Sequence, residues 1–336
     1  AVVTCPRDLA NAVIRGGAEP LHAPFQPLLG NVLDGIAVER RRHDASPFGE
    51  HDGVLADPET VAAVAARYGP AHTFSVSQIE KYIECPFTFF MERLLGVEET
   101  EQPTEELDPL SRGVILHAAL QKFHMRHPAK SMAELAAGGM EAVCDGLREC
   151  LAEAFVEHRW RLGAVPPGLR RVEEARLARQ LGRYAARAAE WQGDAFKPAH
   201  FEAAFGRTRG ESDRELRSSE PWLFAHDGET AQFSGKIDRI DLDGTNVRLV
   251  DYKTGGLPKA TDIYRGFCLQ LTVYQWAVEG LLLPGRSCTE AWYCSLTTSK
   301  DQDALGSNAK PQFKARWAAR ESAARERITE ALRGIR

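Results

Sequence analysis

Residues 231–255, AQFSGKIDRIDLDGTNVRLVDYKTG, constrain the fold of this chain more than any other stretch. Two runs of Val, Ile, Leu and Phe flank DLDGTN, whose Asp-Gly pair supplies turn chemistry, so the stretch predicts an antiparallel hairpin. Its second strand ends in LVDYKTG, where the apolar run stops at Gly255 and Gly256 and carries Asp251 and Lys253. Side chains two apart on a strand share a face, so these two charges share one environment. Asp238 lies six residues before Gly244 and Asp251 seven after it, which makes them neighbours across the ladder. Asp238, Asp251 and Lys253 therefore converge near one end of the sheet.

Two readings of that convergence stand side by side. In one, Asp and Lys form a weak, exposed ion pair on a surface hairpin. In the other, two carboxylates that repel each other and resist desolvation share a divalent cation, and oxygen-rich sites suit Mg²⁺ or Mn²⁺. That site meets the needs of phosphodiester hydrolysis, with Lys253 orienting the attacking water or offsetting charge on the phosphate.

Ahead of the hairpin the periodicity is helical. Residues 1–70 are rich in Pro, Gly and Ala and read as an irregular lead-in, with a charged cluster, ERRRHD, and one short amphipathic helix at DPETVAAVAARYG. Ser77 followed by Glu80 predicts a capping box, and Pro86 ends the helix it starts. A second helix there carries Phe87, Phe90, Met91 and Leu94 on a core face. EETEQPTEELDP (98–109) reads as a loop, and helices are expected over about 111–125, 131–159 and 168–192. The last of these has six Arg against three Glu between Arg170 and Glu190, and a solvated face is the commoner explanation. Strands are expected from 198, a helix over 267–283, a strand at EAWYCSLT, and a final helix over 312–336 with seven basic and three acidic side chains. Helices, then a hairpin, then helix, strand and helix predict a mixed α/β domain with an N-terminal helical subdomain.

Bulk properties exclude some classes. With 43% hydrophobic and 26% charged residues the composition is that of an ordinary globular protein, and a formal charge of −5 excludes nucleic-acid binding by bulk positive charge. No run approaches the ~20 apolar residues of a membrane span. Seven cysteines without a CxxC pair argue against a secreted disulfide framework and for a reducing cytoplasm. The opening residues read as mid-protein sequence, so a piece of a longer protein is expected. No phosphate loop of the ATPase kind occurs.

An acid, about a dozen residues, then acid-x-Lys on the next strand resembles the PD-(D/E)XK nuclease superfamily. SVSQIEKYIECPFTFF is similar to the opening of its RecB/AddB-type C-terminal nuclease domains. SRGVILHAAL matches their Gly-x-x-x-His helix, GKIDRID and VDYKTG their Asp and Asp-x-Lys strands, and LQLTVY their Gln-x-x-x-Tyr helix. The ordered set covers about 74–280. The resemblance implies a restriction-endonuclease-like fold, a mixed β-sheet core flanked by helices, over 71–336. Its helical part would be about 77–192, its sheet core about 198–300 and its C-terminal helix 312–336.

Residue by residue, the resemblance implies that His117, Asp238 and Asp251 hold Mg²⁺ or Mn²⁺ with the backbone carbonyl of Tyr252, and that Glu202 adds an acid. A half-buried strand residue is almost as good a reading of Glu202, because Phe201 and Phe205 flank it. Lys253 would be the catalytic lysine. Gln270 and Tyr274, four apart on one helix face, would position the lysine, the water or the DNA strand. As plain residues, His117 and Tyr274 would be core and Gln270 helix surface. Cys85 stands where such domains place the first ligand of a [4Fe-4S] cluster, and the remaining ligands would have to lie beyond Arg336; a plain buried thiol is the alternative.

The implied activity is a Mg²⁺-dependent deoxyribonuclease, an exonuclease processing DNA ends for recombinational repair in the bacterial cytoplasm. Its partners would be DNA, met along the basic helices 168–192 and 312–336, and the helicase part of the same polypeptide or a partner helicase–nuclease subunit. A catalytically silent nuclease-like platform for DNA or subunit docking is the alternative. A phosphodiesterase acting on RNA or small diesters is a third reading.

Overall fold

The computed structural model describes residues 26–43, 55, 57–97, 107–162, 165–191, 195–206, 216–298, 300–307 and 309–336. The chain divides into two compact units, 1–66 and 67–336. In the first, helix α1 (Gln26–His43) occupies sequence expected to be irregular. The expected short amphipathic helix is α2 (Pro58–Arg67), and Asp57 caps it by accepting the Thr60 N–H at 2.8 Å. Residues 1–25, and most of the loop expected over 98–109, lie outside the described residues.

The second unit begins with β1 (Thr73–Ser75) and α3 (Val76–Glu84). The capping box that starts α3 is formed by Ser75 and Gln78, not Ser77 and Glu80: Ser75 Oγ accepts the Gln78 N–H and the Gln78 side chain accepts the Ser75 N–H. Both pairs have the right spacing, and the one nearer the strand wins because β1 ends at Ser75. After Cys85, α4 (Pro86–Phe89) runs into a π-turn over Phe90–Leu94. That turn changes the phase of the helix. Phe87 is exposed and Phe89 is buried, while Phe90, Met91 and Leu94 are half-buried, so the expected core face fails at its first residue.

Next come α5 (Pro109–Arg126), capped by Asp108 through the Ser111 N–H, then α6 (Met132–Ala137), α7 (Met140–Glu157) and α8 (Pro167–Ala189). The single helix expected over 131–159 is split by Gly138 and Gly139, with Gly139 at φ 119°.

The sheet then follows. Its strands are β2 (Lys197–Phe205), β3 (Arg217–Ser218), β4 (Trp222–His226), β5 (Glu229–Asp243) and β6 (Asn246–Lys253). Helices α9 (Ala260–Tyr264) and α10 (Gln270–Ala277) cross to β7 (Ser287–Ser295) and β8 (Asp301–Asp303), and the chain ends in α11 (Lys314–Ala318) and α12 (Arg320–Ile335). The order is β3-β2-β5-β6-β7-β8, with β1 and β4 also paired to the long β5. β5–β6 is the expected antiparallel hairpin, closed by Asp243↔Asn246 with Gly244 at φ 55° in the turn, and β6–β7 is parallel.

Helices cover both faces. Residues of α5, α7 and α8, among them Leu116, Leu120, Leu147 and Leu181, form one core with Val250 and Tyr252 of β6 and Cys294 of β7. On the other face Phe74 packs on Phe233, Trp222 stacks on Trp276 of α10, and Phe205 meets Tyr274 edge-on. The alternation of β6 therefore sends Val250 and Tyr252 into the helical layer and leaves Asp251 and Lys253 on the α10 side. This mixed sheet between helices has the α/β architecture expected from the sequence.

Candidate active site

The β5–β6 ladder ends with the pair Arg239↔Val250. Beyond it the Asp238 carboxylate accepts the Tyr252 N–H at 2.8 Å, and His117 Nε2 of α5 lies 3.1 Å from the Tyr252 carbonyl oxygen. Side chains thus satisfy main-chain groups that a longer ladder would have paired. His117 Nδ1 is 3.3 Å from Asp238 Oδ1, so both ring nitrogens face oxygens.

On the neighbouring strand, between the pairs Phe201↔Arg239 and Ala203↔Ile237, Glu202 stands opposite Asp238. Its backbone lies at φ 55°, a region that a residue with a β-carbon seldom occupies. One ligating atom each of His117, Glu202 and Asp238 lies within 4.8 Å of the others. Among the described residues this is the sole group of three His, Cys, Asp or Glu side chains so placed, and Cys85, a free thiol between α3 and α4, is not in it.

Asp251 stands beside that group. Its Oδ1 accepts from Gln270 Nε2 at 2.7 Å, and its Oδ2 lies 2.7 Å from Lys253 Nζ. The latter contact pairs the ammonium with a buried carboxylate oxygen. Lys253 Nζ also donates to Gln270 Oε1 at 2.8 Å, and Gln270 Nε2 reaches Tyr274 OH at 3.5 Å. The primary amide of Gln270 thus bridges acid and lysine. Tyr274 lies against Gly235, where a β-carbon would come within 2.6 Å of its ring.

The electrostatics follow from this packing. Burial opposes the charge on His117, but Asp238, Asp251 and Glu202 around it raise its pKa to about 9. Burial would raise Asp238 too, yet His117 and the Tyr252 N–H hold it below its usual value. Burial and the Asp238 charge push Asp251 up to about 6 against the pull of Lys253. Burial and Asp238 likewise raise Glu202, against Lys236. Three carboxylates crowded into one place need positive charge, and the chain supplies it with Lys253 on Asp251 and Lys236 on Glu202. The donor set of carboxylate oxygens and one imidazole fits a divalent cation.

The residues open into a cleft of about 350 Å³, whose lining includes Leu110, Val114, His117, Glu202, Lys236 and Lys253. The structure brings together all the strand and helix residues singled out in the sequence for this site. Two further residues join them. Lys236 shares the face of Asp238 by the two-residue period and could have been found that way. Glu80 accepts the Leu269 and Gln270 N–H groups at 2.6 and 3.1 Å, and no local signal points to it, since 190 residues separate it from Gln270.

In 312–336, six basic side chains are engaged by the chain itself: Arg316 with Tyr264, Arg320 with Thr272 and Gln275, Arg325 with Glu321, Arg327 with Glu330, Arg333 with Asp227 and Arg336 with Glu229. On α8, Arg171, Arg179 and Arg183 are exposed. Among the described residues no helix is long and apolar enough to cross a membrane.

Residues 73–336 match the PD-(D/E)XK nuclease superfamily. The chain is also similar to bacterial proteins named as a subunit of an ATP-dependent helicase/deoxyribonuclease. That of Acetivibrio thermocellus is 29% identical over 232 residues, 66% of this chain and 19% of the relative. That of Desulforudis audaxviator is 30% identical over 284 residues, 80% of this chain and 22% of the relative. That of Clostridium acetobutylicum is 30% identical over 239 residues, 65% of this chain and 19% of the relative. The chain thus spans about a fifth of the length of the curated relatives it matches. Nucleases of this superfamily generally use a divalent metal, which agrees with the crowded acids and the donor set of the cleft. The match runs through every strand and both helical layers that build this cleft, and the chain belongs to the PD-(D/E)XK nuclease superfamily.

Proposed function

We propose that this chain is the nuclease portion of a DNA-end-processing helicase–nuclease, and that it hydrolyses DNA phosphodiesters as an exonuclease with Mg²⁺ or Mn²⁺. The observation that carries the reading is the clustering of Asp238, Asp251 and Lys253 with His117 and Glu202 beside one cleft. Asp238, Asp251, His117, Glu202 and the Tyr252 carbonyl would hold the cation. When bound, it supplies positive charge against the phosphate and acidity toward the attacking water.

The chain's own residues do the rest. Lys253 keeps a proton on Nζ and presents it where charge builds on the phosphate oxygens. Gln270 fixes that ammonium against Asp251, and Tyr274 limits where the Gln270 amide can turn. Metal entry requires His117 to give up the proton it holds between Asp238 and Tyr252. Contacts from the arginine side chains outside the cleft would be to phosphates rather than to base edges, which suits cleavage without sequence preference. Phosphates outside the cleft would meet Arg171, Arg179 and Arg183 of α8. The relatives' shared name supports a helicase portion, in the same polypeptide or in a partner subunit.

The test is cleavage of linear DNA by the chain with Mg²⁺ or Mn²⁺. Wild type should cut, and Asp251→Ala and Lys253→Ala should each lose ~100-fold or more in kcat, the scale of a missing charge-stabilising group. Cleavage that survives both substitutions sinks the catalytic assignment. DNA binding without any cleavage by wild type makes the chain a silent platform, and preference for RNA or small diesters changes the substrate.

A further inference from the structure

Glu80 lies on α3, at the other end of the unit's sequence from the hairpin that carries the acids. It is half-buried, and the desolvation it suffers there raises its pKa, an arrangement costly for a carboxylate that served only as an ordinary helix residue. Its Oε1 accepts two backbone N–H groups, those of Leu269 and Gln270, which precede and begin α10. No side chain of α10 itself caps that end, so the acid from α3 takes the place of a local cap. The same carboxylate adds negative charge near Lys253.

The consequence runs through one residue. Gln270 is the first residue of α10, and its backbone position is fixed by Glu80. Its side chain then holds both partners, accepting from Lys253 Nζ at 2.8 Å and donating to Asp251 Oδ1 at 2.7 Å. A shift of the helix start would move the amide off one of them. We propose that Glu80 is a positioning residue of the nuclease site, setting the Lys253–Asp251 geometry through Gln270; this rests on the reading of the cleft given above. It touches neither substrate nor metal.

Glu80→Ala and Glu80→Gln separate this role from plain structural support. Loss of the acceptor in Glu80→Ala should lower kcat about 10-fold or more with KM within about twofold, because alignment rather than binding is impaired. Glu80→Gln keeps a carbonyl oxygen in place and should stay within about threefold of wild type, since accepting the two N–H groups is what matters. Adding Glu80→Ala to Gln270→Ala should cost less than about a further twofold, because residues acting through one another are not additive.

Independently of activity, hydrogen exchange at the Leu269 and Gln270 amides should quicken in Glu80→Ala while the rest of the sheet keeps its protection. The proposal is overturned if Glu80→Ala cuts as wild type does. It is also overturned if the double variant loses the product of the two single effects, or if those amides exchange unchanged. Failure of the nuclease reading looks different: wild type itself does not cut, and amide exchange alone then decides whether Glu80 holds Gln270.

Discussion

Tyr252 belongs to two environments at once. Its main chain is held at the cleft by Asp238 and His117, while its hydroxyl lies 3.2 Å from Tyr184 OH and accepts from Arg239 at 3.3 Å in the helical layer. Arg239 is paired through two nitrogens with Asp241, and Asp241 has no exposed surface. Removing the guanidinium would strand a buried carboxylate, with Arg248 at 3.8 Å as a partial substitute. Arg239→Met should therefore cost ~3–5 kcal/mol in urea unfolding, and replacing Asp241 by Leu in the same protein should recover much of it. On the cleft side, proton linkage gives a second expectation. His117 binds its proton more tightly folded than unfolded, so its stabilising contribution is complete below pH 6.5 and is lost as pH rises through about 9. Asp251, raised from 3.8 to about 6, adds an earlier loss across that interval. Melting temperatures in a chelator should fall with pH between 6.5 and 9 for wild type, and His117→Gln should remove that part of the fall.

At the scale of elements, β5 carries most of the design. Three strands beside β6 use it as partner, and its Gly235 lets Phe205 and Tyr274 close over the sheet. A β-carbon there would meet Tyr274 at 2.6 Å and Phe205 at 2.7 Å, so the rings must move. Gly235→Ala should cost ~1–3 kcal/mol by overpacking and should lower cleavage as Tyr274 is pushed toward Gln270, an effect that Tyr274→Phe should not reproduce in stability.

The hairpin, with its turn and its convergent acids, was legible because period-two alternation and Asp-Gly turn chemistry are both local. His117, Gln270 and Tyr274 were legible only through the family resemblance, since each lies on a helix whose pattern is also that of a core helix. Glu80 was misread because Ser77-x-x-Glu80 satisfies the capping spacing while its carboxylate is claimed by a helix distant in sequence. Phe87 departs from the expected face because it begins a helix of only four residues after Pro86, too short for hydrophobic spacing to fix its facing. Sequence likewise does not show that Asp227 and Glu229 lie across from Arg333 and Arg336 of the last helix.

For the molecule as a whole, a net charge of −5 and a local row of arginines make binding a matter of distribution. On the proposed reading, DNA affinity should fall steeply with salt and be indifferent to sequence. Replacing Arg171, Arg179 and Arg183 with Ala should flatten the slope of log K against log salt by up to ~0.9 for each phosphate no longer neutralised, measured by fluorescence anisotropy. The same replacement should leave melting temperature nearly unchanged, because exposed charges contribute little to stability.

The left-handed backbone of Glu202 has an implication for anyone engineering this protein. A non-glycine residue there costs ~1–3 kcal/mol, so Glu202→Gly should fold more stably while deleting an acid of the cleft. On the proposed reading, directed evolution scored on heat resistance alone would be drawn to that substitution and would enrich sturdy variants with weakened cutting. A library built on this scaffold should hold position 202 fixed or be screened for cutting in every round.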